Sequence, residues 1–349
     1  LAAALLWGIL LTSITGRDRI VETRRFGRTD LEVSCLTFGC GAVGGLMTRG
    51  DARDQDRAVA WARDNGINFF DTAPSYGNGA SETNLGRALN GNTDGIIVST
   101  KVGLPQSEIS NAASYVEQSL NDSLTRLRLD HVDLFQLHNT IGEPDRHGAI
   151  TAEQVLNEVI PAFDKLRDAG KTRYLGFTAK GDTGQLLKLV RSNTLDSAQI
   201  FYNLLVPTAG ETVPADYPTQ DYKELLNVSV DHGVGAIGVR VLAGGALTGT
   251  VTRHPLGMPE VAPIGSDTDY ATDVKRGLLF MPLVDEGVAD SLPELAVRYV
   301  ISNKAMPTTE IGIATLEQLQ LAASAVNKGV LHHDALDRIR SIQATLIDH

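Results

Sequence analysis

Four side chains early in the chain are of types that can move a proton between them: Asp71, Tyr76, Lys101 and His138. Each closes or follows an apolar run. "INFF" leads into Asp71 with Tyr76 shortly after, "GIIVST" ends in Lys101, and "VDLFQL" ends in His138. A phenol, with a reference pKa of about 10, is a poor acid at neutral pH unless a nearby ammonium stabilises the phenolate. Lys101 suits that role, Asp71 would hold its charge, and a neutral His138 would hydrogen-bond a carbonyl oxygen and orient it. Such a set serves proton donation to an oxygen while hydride reaches the carbon. Taken singly, each residue has an ordinary use, because a strand-end Asp often caps a turn and a strand-end Lys is often solvated. Only their meeting over one mouth makes them a site.

The elements that must bring them together are legible as alternation. Eight apolar, β-branched runs read as strands: "VSCLTFG", "INFFD", "GIIVSTK", "VDLFQLH", "TRYLGFT", "SAQIFYN", "GAIGVRV" and "TEIGIA". Near-continuous runs of this kind fit parallel strands buried on both faces. Amphipathic stretches separate them. In "SNAASYVEQSLNDSLTRLRL" one stripe holds Val116, Leu120, Leu124 and Leu127, with Ser110 as the expected N-cap. In "TAEQVLNEVIPAFDKLRDAG" the stripe is Val155, Val159, Phe163 and Leu166, Gly170 is the stop, and Pro161 predicts a kink or restart. Further helices fit "DQDRAVAWARDNG", "SETNLGRALNG", "TGQLLKLVRSN", "DYKELLNVSVDHG", "LPELAVRYVISN" and "TLEQLQLAASAV".

Eight consecutive βα units predict an α/β fold of one domain, a (β/α)8 TIM barrel, whose site lies at the C-terminal ends of its strands. Two long Pro- and Gly-rich loops follow the sixth and seventh strands, "LLVPTAGETVPADYPTQ" and "TRHPLGMPEVAPIGSDTDYATDVKRG", and are expected at that face. "RRFGRTDLEVS" reads as a hairpin closing the opposite end. The barrel and a C-terminal helix are expected over residues 24–349, preceded by an extension over 1–23. Its apolar stretch "LAAALLWGILLTSITG" resembles the core of a signal peptide but has no basic segment before it. The stretch is also short of the roughly 20 apolar residues of a membrane span. We expect an extension without a part in the fold, with a cleaved or anchoring segment as the alternative, and a cytoplasmic barrel.

Composition excludes some partners. The 349 residues carry 42 acidic against 31 basic side chains, a net charge of -11, so no basic field attracts nucleic acid. The two cysteines, Cys35 and Cys40, fall at an odd spacing on one expected strand, which points them to opposite faces and argues against a disulfide. No cysteine or histidine cluster suggests a metal.

"GCGAVGG", Gly39 to Gly45, satisfies G-x-G-x-x-G and on that ground alone would open a Rossmann domain, with Asp71 as its ribose-binding acid. The βα count argues against this. A longer match decides the matter. "FFDTAPSYGNGASETNLGRAL" resembles the aldo-keto reductase signature D-T-A-x-x-Y-G-x-G-x-S-E-x-x-L-G, and "VSTKVG", "SLTRLRLDHVDLFQLHN" and "GKTRYLGFTA" resemble the family's next segments in order. The resemblance spans residues 24 to 328 or so and implies a (β/α)8 barrel that passes hydride between a nicotinamide dinucleotide and a small carbonyl or alcohol, without metal. It implies the tetrad Asp71, Tyr76, Lys101 and His138, with Tyr76 as general acid in reduction and base in oxidation.

The same resemblance implies cofactor contacts. Gly41 and Ala42 fall on the loop facing the nicotinamide end, Thr178 and Gln199 on the carboxamide, and Val239 and Arg240 where many members stack a Tyr on the ring. Ala179 replaces the usual carboxamide-binding Asn. Leu242, Gly244 and Leu247 match the loop along the pyrophosphate. Gly312, Thr315 and Gln318 fall at the adenosine end, where "IGIATLEQLQLAAS" has neither Lys nor Arg for a 2'-phosphate, so NADP(H) and NAD(H) both stay open. The substrate pocket is expected from the loops after the first, sixth and seventh strands, with Phe201 or Tyr202 as walls, although Tyr202 next to Asn203 equally fits core packing at the strand end. Two rivals remain: a reductase-like binding or regulatory subunit, as in the potassium-channel β-subunits that resemble the family, and metal-assisted or Schiff-base chemistry on the same barrel. Substrate, direction and oligomeric state are not encoded in these motifs.

Overall fold

The computed structural model describes residues 21–144, 148–263, 266 and 269–348. The apolar stretch of residues 1–16 lies outside them. Among the described residues no helix is long and apolar enough to cross a membrane.

An antiparallel hairpin, β1 (Thr23–Arg25) and β2 (Glu32–Ser34), precedes the barrel. Eight parallel strands follow: β3 (Leu36–Gly39), β4 (Phe69–Asp71), β5 (Ile97–Val102), β6 (Val132–Leu137), β7 (Thr172–Thr178), β8 (Ser197–Phe201), β9 (Gly235–Val239) and β10 (Thr308–Gly312). They close in the order β10-β3-β4-β5-β6-β7-β8-β9. All eight expected runs supply a strand. The first run is divided, however, because Val33 and Ser34 leave it to pair in the hairpin. Cys35 and Cys40 are both free and buried.

Side-chain alternation sorts the barrel interior into layers. Phe69, Ile97, Leu134 and Ile237 form an apolar floor, and Phe26, Leu31 and Val33 of the hairpin segment plug it from below. Phe26 meets Phe69 edge to face, with centroids 6.0 Å apart. Two residues further along β4, β5 and β6 the same face carries Asp71, Ser99 and Gln136 instead, all fully buried. The register aligns Asp71 with Ser99, and Lys101 with Gln136. An apolar floor under a polar storey is what strands with period two produce when one inward position in each is polar.

The helices depart from expectation in two places. Ser110 does not cap its helix, because a 3-10 turn, Gln106–Asn111, runs directly into Ala112–Leu127 and absorbs it. Pro161 marks a restart, one of the two outcomes expected there. A π-turn at Val155–Val159 widens the chain before Ile160–Asp168, where Pro161 stands in the first turn and its missing N–H has no partner to lose. The helix expected from "DYKELLNVSVDHG" begins only at Leu225, since Lys223 and Glu224 both take left-handed conformations. Of the two long loops, the second contains a helix, Tyr270–Leu278. The first buries Leu204, Leu205 and Val206, and Gln343 of the helix His333–Ala344 donates to the Leu204 carbonyl at 3.0 Å.

Candidate active site

The signature segment builds the wall that carries Tyr76. Gly77, Asn78 and Gly79 are all left-handed, which turns the chain sharply after the tyrosine. The turn is pinned from below. Thr72 and Ser81 share a hydrogen bond of 2.8 Å, and Ser81 donates to the Cys40 carbonyl at 2.9 Å. Glu82, fully buried, accepts from Thr100 at 2.5 Å and from Arg126 at 2.6 Å, fixing the helix Ala80–Leu89 against β5 and its following helix. A side chain on Gly79 would come within 2.8 Å of Arg126. The sequence motif is thus a scaffold for one phenol.

Asp71, Tyr76, Lys101 and His138 do converge. The Lys101 ammonium, fully buried, bonds the Asp71 carboxylate and donates to the Thr72 carbonyl at 2.7 Å. Asp71 is held in turn by the Ser99 hydroxyl and by Gln136 Nε2 at 3.0 Å. Lys101 Nζ lies 4.8 Å from the centre of the Tyr76 ring, and the His138 ring meets that ring edge to face at 5.8 Å. Next to His138, Asn139 and Leu104 exchange two hydrogen bonds of 2.8 Å, which fixes the end of β6.

The electrostatics follow from this packing. Burial pushes the Tyr76 phenol above its ordinary range, while the Lys101 ammonium pulls it back. The phenol is therefore protonated at neutral pH and its acidity rests on Lys101. Burial disfavours the Lys101 charge, but the Asp71 carboxylate bonded to it outweighs that, and the ammonium stays above the ordinary lysine value. Burial, aided by Lys101 and Lys180, holds His138 down at about 3, so its imidazole is neutral. A neutral imidazole, a protonated phenol and a fixed ammonium around one opening can orient a carbonyl oxygen and give it a proton.

The remaining expected contacts fall on the opposite side of the mouth or around its rim. Thr178 and Gln199 are buried and paired, Thr178 Oγ1 donating to Gln199 Oε1 at 2.9 Å. Val239 is half-buried at the end of β9, and Arg240 follows in a left-handed conformation, donating to the Ala262 carbonyl at 3.2 Å. Leu242 is half-buried, Gly244 is left-handed, and Leu247 is fully buried in the core. Gly41 faces the Tyr76 ring, which a side chain there would meet at 3.7 Å. The Ala42 carbonyl accepts from Arg49 at 2.7 Å. At the end of β10, Gly312 is exposed, Thr315 caps the helix Leu316–Asn327, and Gln318 Oε1 accepts from the Ala314 N–H at 2.8 Å. Gln318 keeps its amide N–H groups and one oxygen lone pair for a ligand.

Two expected pocket walls belong to the core. Tyr202 stacks on Tyr299 at 5.2 Å and bonds Glu211, and Phe201 stacks on Tyr222 at 6.3 Å. Both are buried, because the loop after β8 folds over them and not away. One site residue was missed. Glu310 of β10 projects into the mouth, accepts from Gln199 Nε2 at 2.8 Å and sits near enough to the Asp71 carboxyl for the two to compete for a proton. Its signal was the period-two face it shares with Thr308, whose hydroxyl meets Thr37 inside the barrel at 2.7 Å. Among the described residues no group of three or more His, Cys, Asp or Glu side chains is arranged to hold a metal ion.

The aldo/keto reductase family model matches residues 35–344. L-galactose dehydrogenase of Arabidopsis thaliana is 30% identical over 318 residues, covering 88% of this chain and 89% of that protein. A probable voltage-gated potassium channel subunit beta, also of Arabidopsis thaliana, is 26% identical over 348 residues, covering 92% and 96%. Among solved structures, an aldo-keto reductase from Bacillus halodurans in its holo form superposes with a TM-score of 0.69 at 25% identity, covering 92% of this chain and 96% of that one. The convergence of phenol, ammonium, carboxylate and imidazole at the mouth of this barrel therefore has a family to which it belongs, and the chain is a member of the aldo/keto reductases.

Proposed function

We propose that the protein is a nicotinamide-dependent oxidoreductase acting on the carbonyl or alcohol of a small aldehyde, ketone or sugar. The observation that carries this reading is the buried Lys101–Asp71 pair beside a protonated Tyr76 and a neutral His138. A bound nicotinamide dinucleotide supplies or accepts the hydride. Its carboxamide fits Thr178 and Gln199, since each keeps hydrogen-bonding capacity beyond their shared bond. Gly41 leaves room over Tyr76, and the left-handed run at Ala243, Gly244 and Gly245 keeps backbone at the rim free of bulky side chains on the side expected to follow the pyrophosphate. Tyr76 gives its proton to the carbonyl oxygen in reduction and takes it back in oxidation. Lys101 stabilises the phenolate formed in between, Asp71 holds Lys101 in place, and His138 donates a hydrogen bond that orients the oxygen.

The test is turnover of NADH or NADPH, followed at the reduced-nicotinamide absorbance band, against aldehydes, ketones and aldoses, and of the oxidised coenzymes against sugars and alcohols. Turnover in either direction supports the reading. Similarity to a potassium channel β-subunit favours a second one, a reductase-like binding or regulatory subunit. Dinucleotide binding without turnover in either direction would put that reading first.

A further inference from the structure

The fourfold set leaves one carboxyl of the mouth without a role. Glu310 reaches from β10 toward the centre of the barrel, where it lies between two groups that otherwise have no contact with each other. On one side Gln199 Nε2 donates to Glu310 Oε2 at 2.8 Å, and Gln199 Oε1 accepts from Thr178. On the other, the Glu310 carboxyl faces the influence of Asp71, which is already engaged by Lys101, Ser99 and Gln136. Hydrogen bonds run from Thr178 through Gln199 to Glu310, and Glu310 brings that line up to the carboxylate that Lys101 holds.

We propose that Glu310 is a positioning residue that joins the proton-transfer half of the site to the dinucleotide half, fixing which end of the Gln199 amide faces Thr178 and which faces the barrel axis. Two carboxyl groups that close off the same barrel mouth do not both ionise readily, because each charge disfavours the other. Asp71 is the ionised member, because the buried Lys101 ammonium bonds it directly. Glu310 is therefore the neutral one. Burial raises its affinity for the proton, Asp71 raises it further, and Lys101 opposes them. Tyr76 and Cys40 are further titratable groups that an ionised Glu310 would push upward. A neutral Glu310 accepts from Gln199 without setting a second negative charge against Asp71. This leaves one Gln199 N–H and one Gln199 lone pair to meet a carboxamide. An ionised Glu310 would face Asp71 as a like charge.

This inference rests on the proposed dinucleotide reading, and its test separates the two. Binding of NADH and NADPH is titrated by fluorescence for the wild type, Glu310→Gln and Glu310→Leu, at a series of pH values, with thermal unfolding followed alongside. Gln reproduces the neutral acid, with one donor and one acceptor, so Glu310→Gln should restore wild-type affinity to within a few-fold. Glu310→Leu should weaken binding by about tenfold or more, the loss expected when a buried hydrogen-bonding partner is removed. Wild-type affinity should fall at alkaline pH as Glu310 ionises, while that of Glu310→Gln stays level. Unfolding reports on protonation without any dinucleotide. The folded Glu310 holds its proton above the ordinary value of 4.5, so the wild type loses stability relative to Glu310→Gln as pH rises through and above that value. A Gln variant as weak as the Leu variant, or a Leu variant that binds like the wild type, overturns the positioning role. A Tm difference that does not grow with pH overturns the neutral acid. A wild type that binds no dinucleotide sinks the functional reading and the positioning role with it, while the Tm comparison still decides the proton.

Discussion

The two sides of the barrel mouth are built on different chemistry. The side formed by β4, β5 and β6 is held by charge: a buried ammonium on a buried carboxylate, with the phenol and imidazole packed against it. The side formed by β7, β8 and β10 is held by neutral groups, a hydroxyl, an amide and an acid. On the charged side, loss of one member leaves an uncompensated charge. On the neutral side, loss of one member leaves an unpaired dipole, which costs less. The difference predicts a graded response to mutation across a single opening.

The largest effect is expected on the charged side. Lys101→Met leaves Asp71 buried without its partner, which should cost about 3–5 kcal/mol of folding stability. Denaturant unfolding measures this, and a loss below about 1 kcal/mol, as for an exposed ion pair, would contradict the arrangement. On the neutral side, Gln199→Leu should cost about 1–3 kcal/mol in dinucleotide binding with a smaller effect on kcat. Equal losses in kcat and binding would erase the proposed division of labour.

At the rim the effect is smaller again. No Lys or Arg lies between Gly312 and Ser324, and Glu317 places an acid in the first turn of the helix Leu316–Asn327. Gln318→Arg should therefore move the NADPH to NADH ratio of kcat/KM upward by about tenfold, the gain of one charge-assisted bond. An unchanged ratio would mean that the adenosine end binds elsewhere. A further effect, set by pH, concerns His138. Its folded proton affinity lies at about 3 against an ordinary 6.5, so the unfolded chain takes up a proton first, and stability falls as pH drops from 6.5 toward 3. His138→Asn removes that loss, and its Tm should decline less than that of the wild type over this interval.

The same contrast governs what could be read in advance. Asp71, Lys101 and His138 end apolar runs, and charged residues at such positions are conspicuous. Strand count and order followed from the same runs. Glu310 ends nothing; it sits inside "TEIGIA", where a glutamate looks like the solvent-facing residue of an edge, and only barrel closure turns it inward. Phe201 errs in the other direction, and Tyr202 takes the core position, one of its two readings. Aromatic residues at a strand end look like pocket walls until the next loop folds back, and here Tyr222 of that loop stacks on Phe201 while Tyr299 stacks on Tyr202. Helix boundaries failed where backbone conformation decided, at the left-handed Lys223 and Glu224 and at the 3-10 turn that absorbed Ser110. Neither leaves a pattern of apolar spacing.

The central claim is that Tyr76 delivers the proton while the rest of the mouth holds the reactants. Tyr76→Phe keeps the ring that packs on His138 and removes only the hydroxyl, so a steady-state assay paired with a dinucleotide titration isolates that claim. The account predicts a fall in kcat of about 10²–10⁴-fold with dinucleotide affinity within a few-fold of the wild type. A variant that turns over at the wild-type rate would show that the proton comes from elsewhere and would contradict the account.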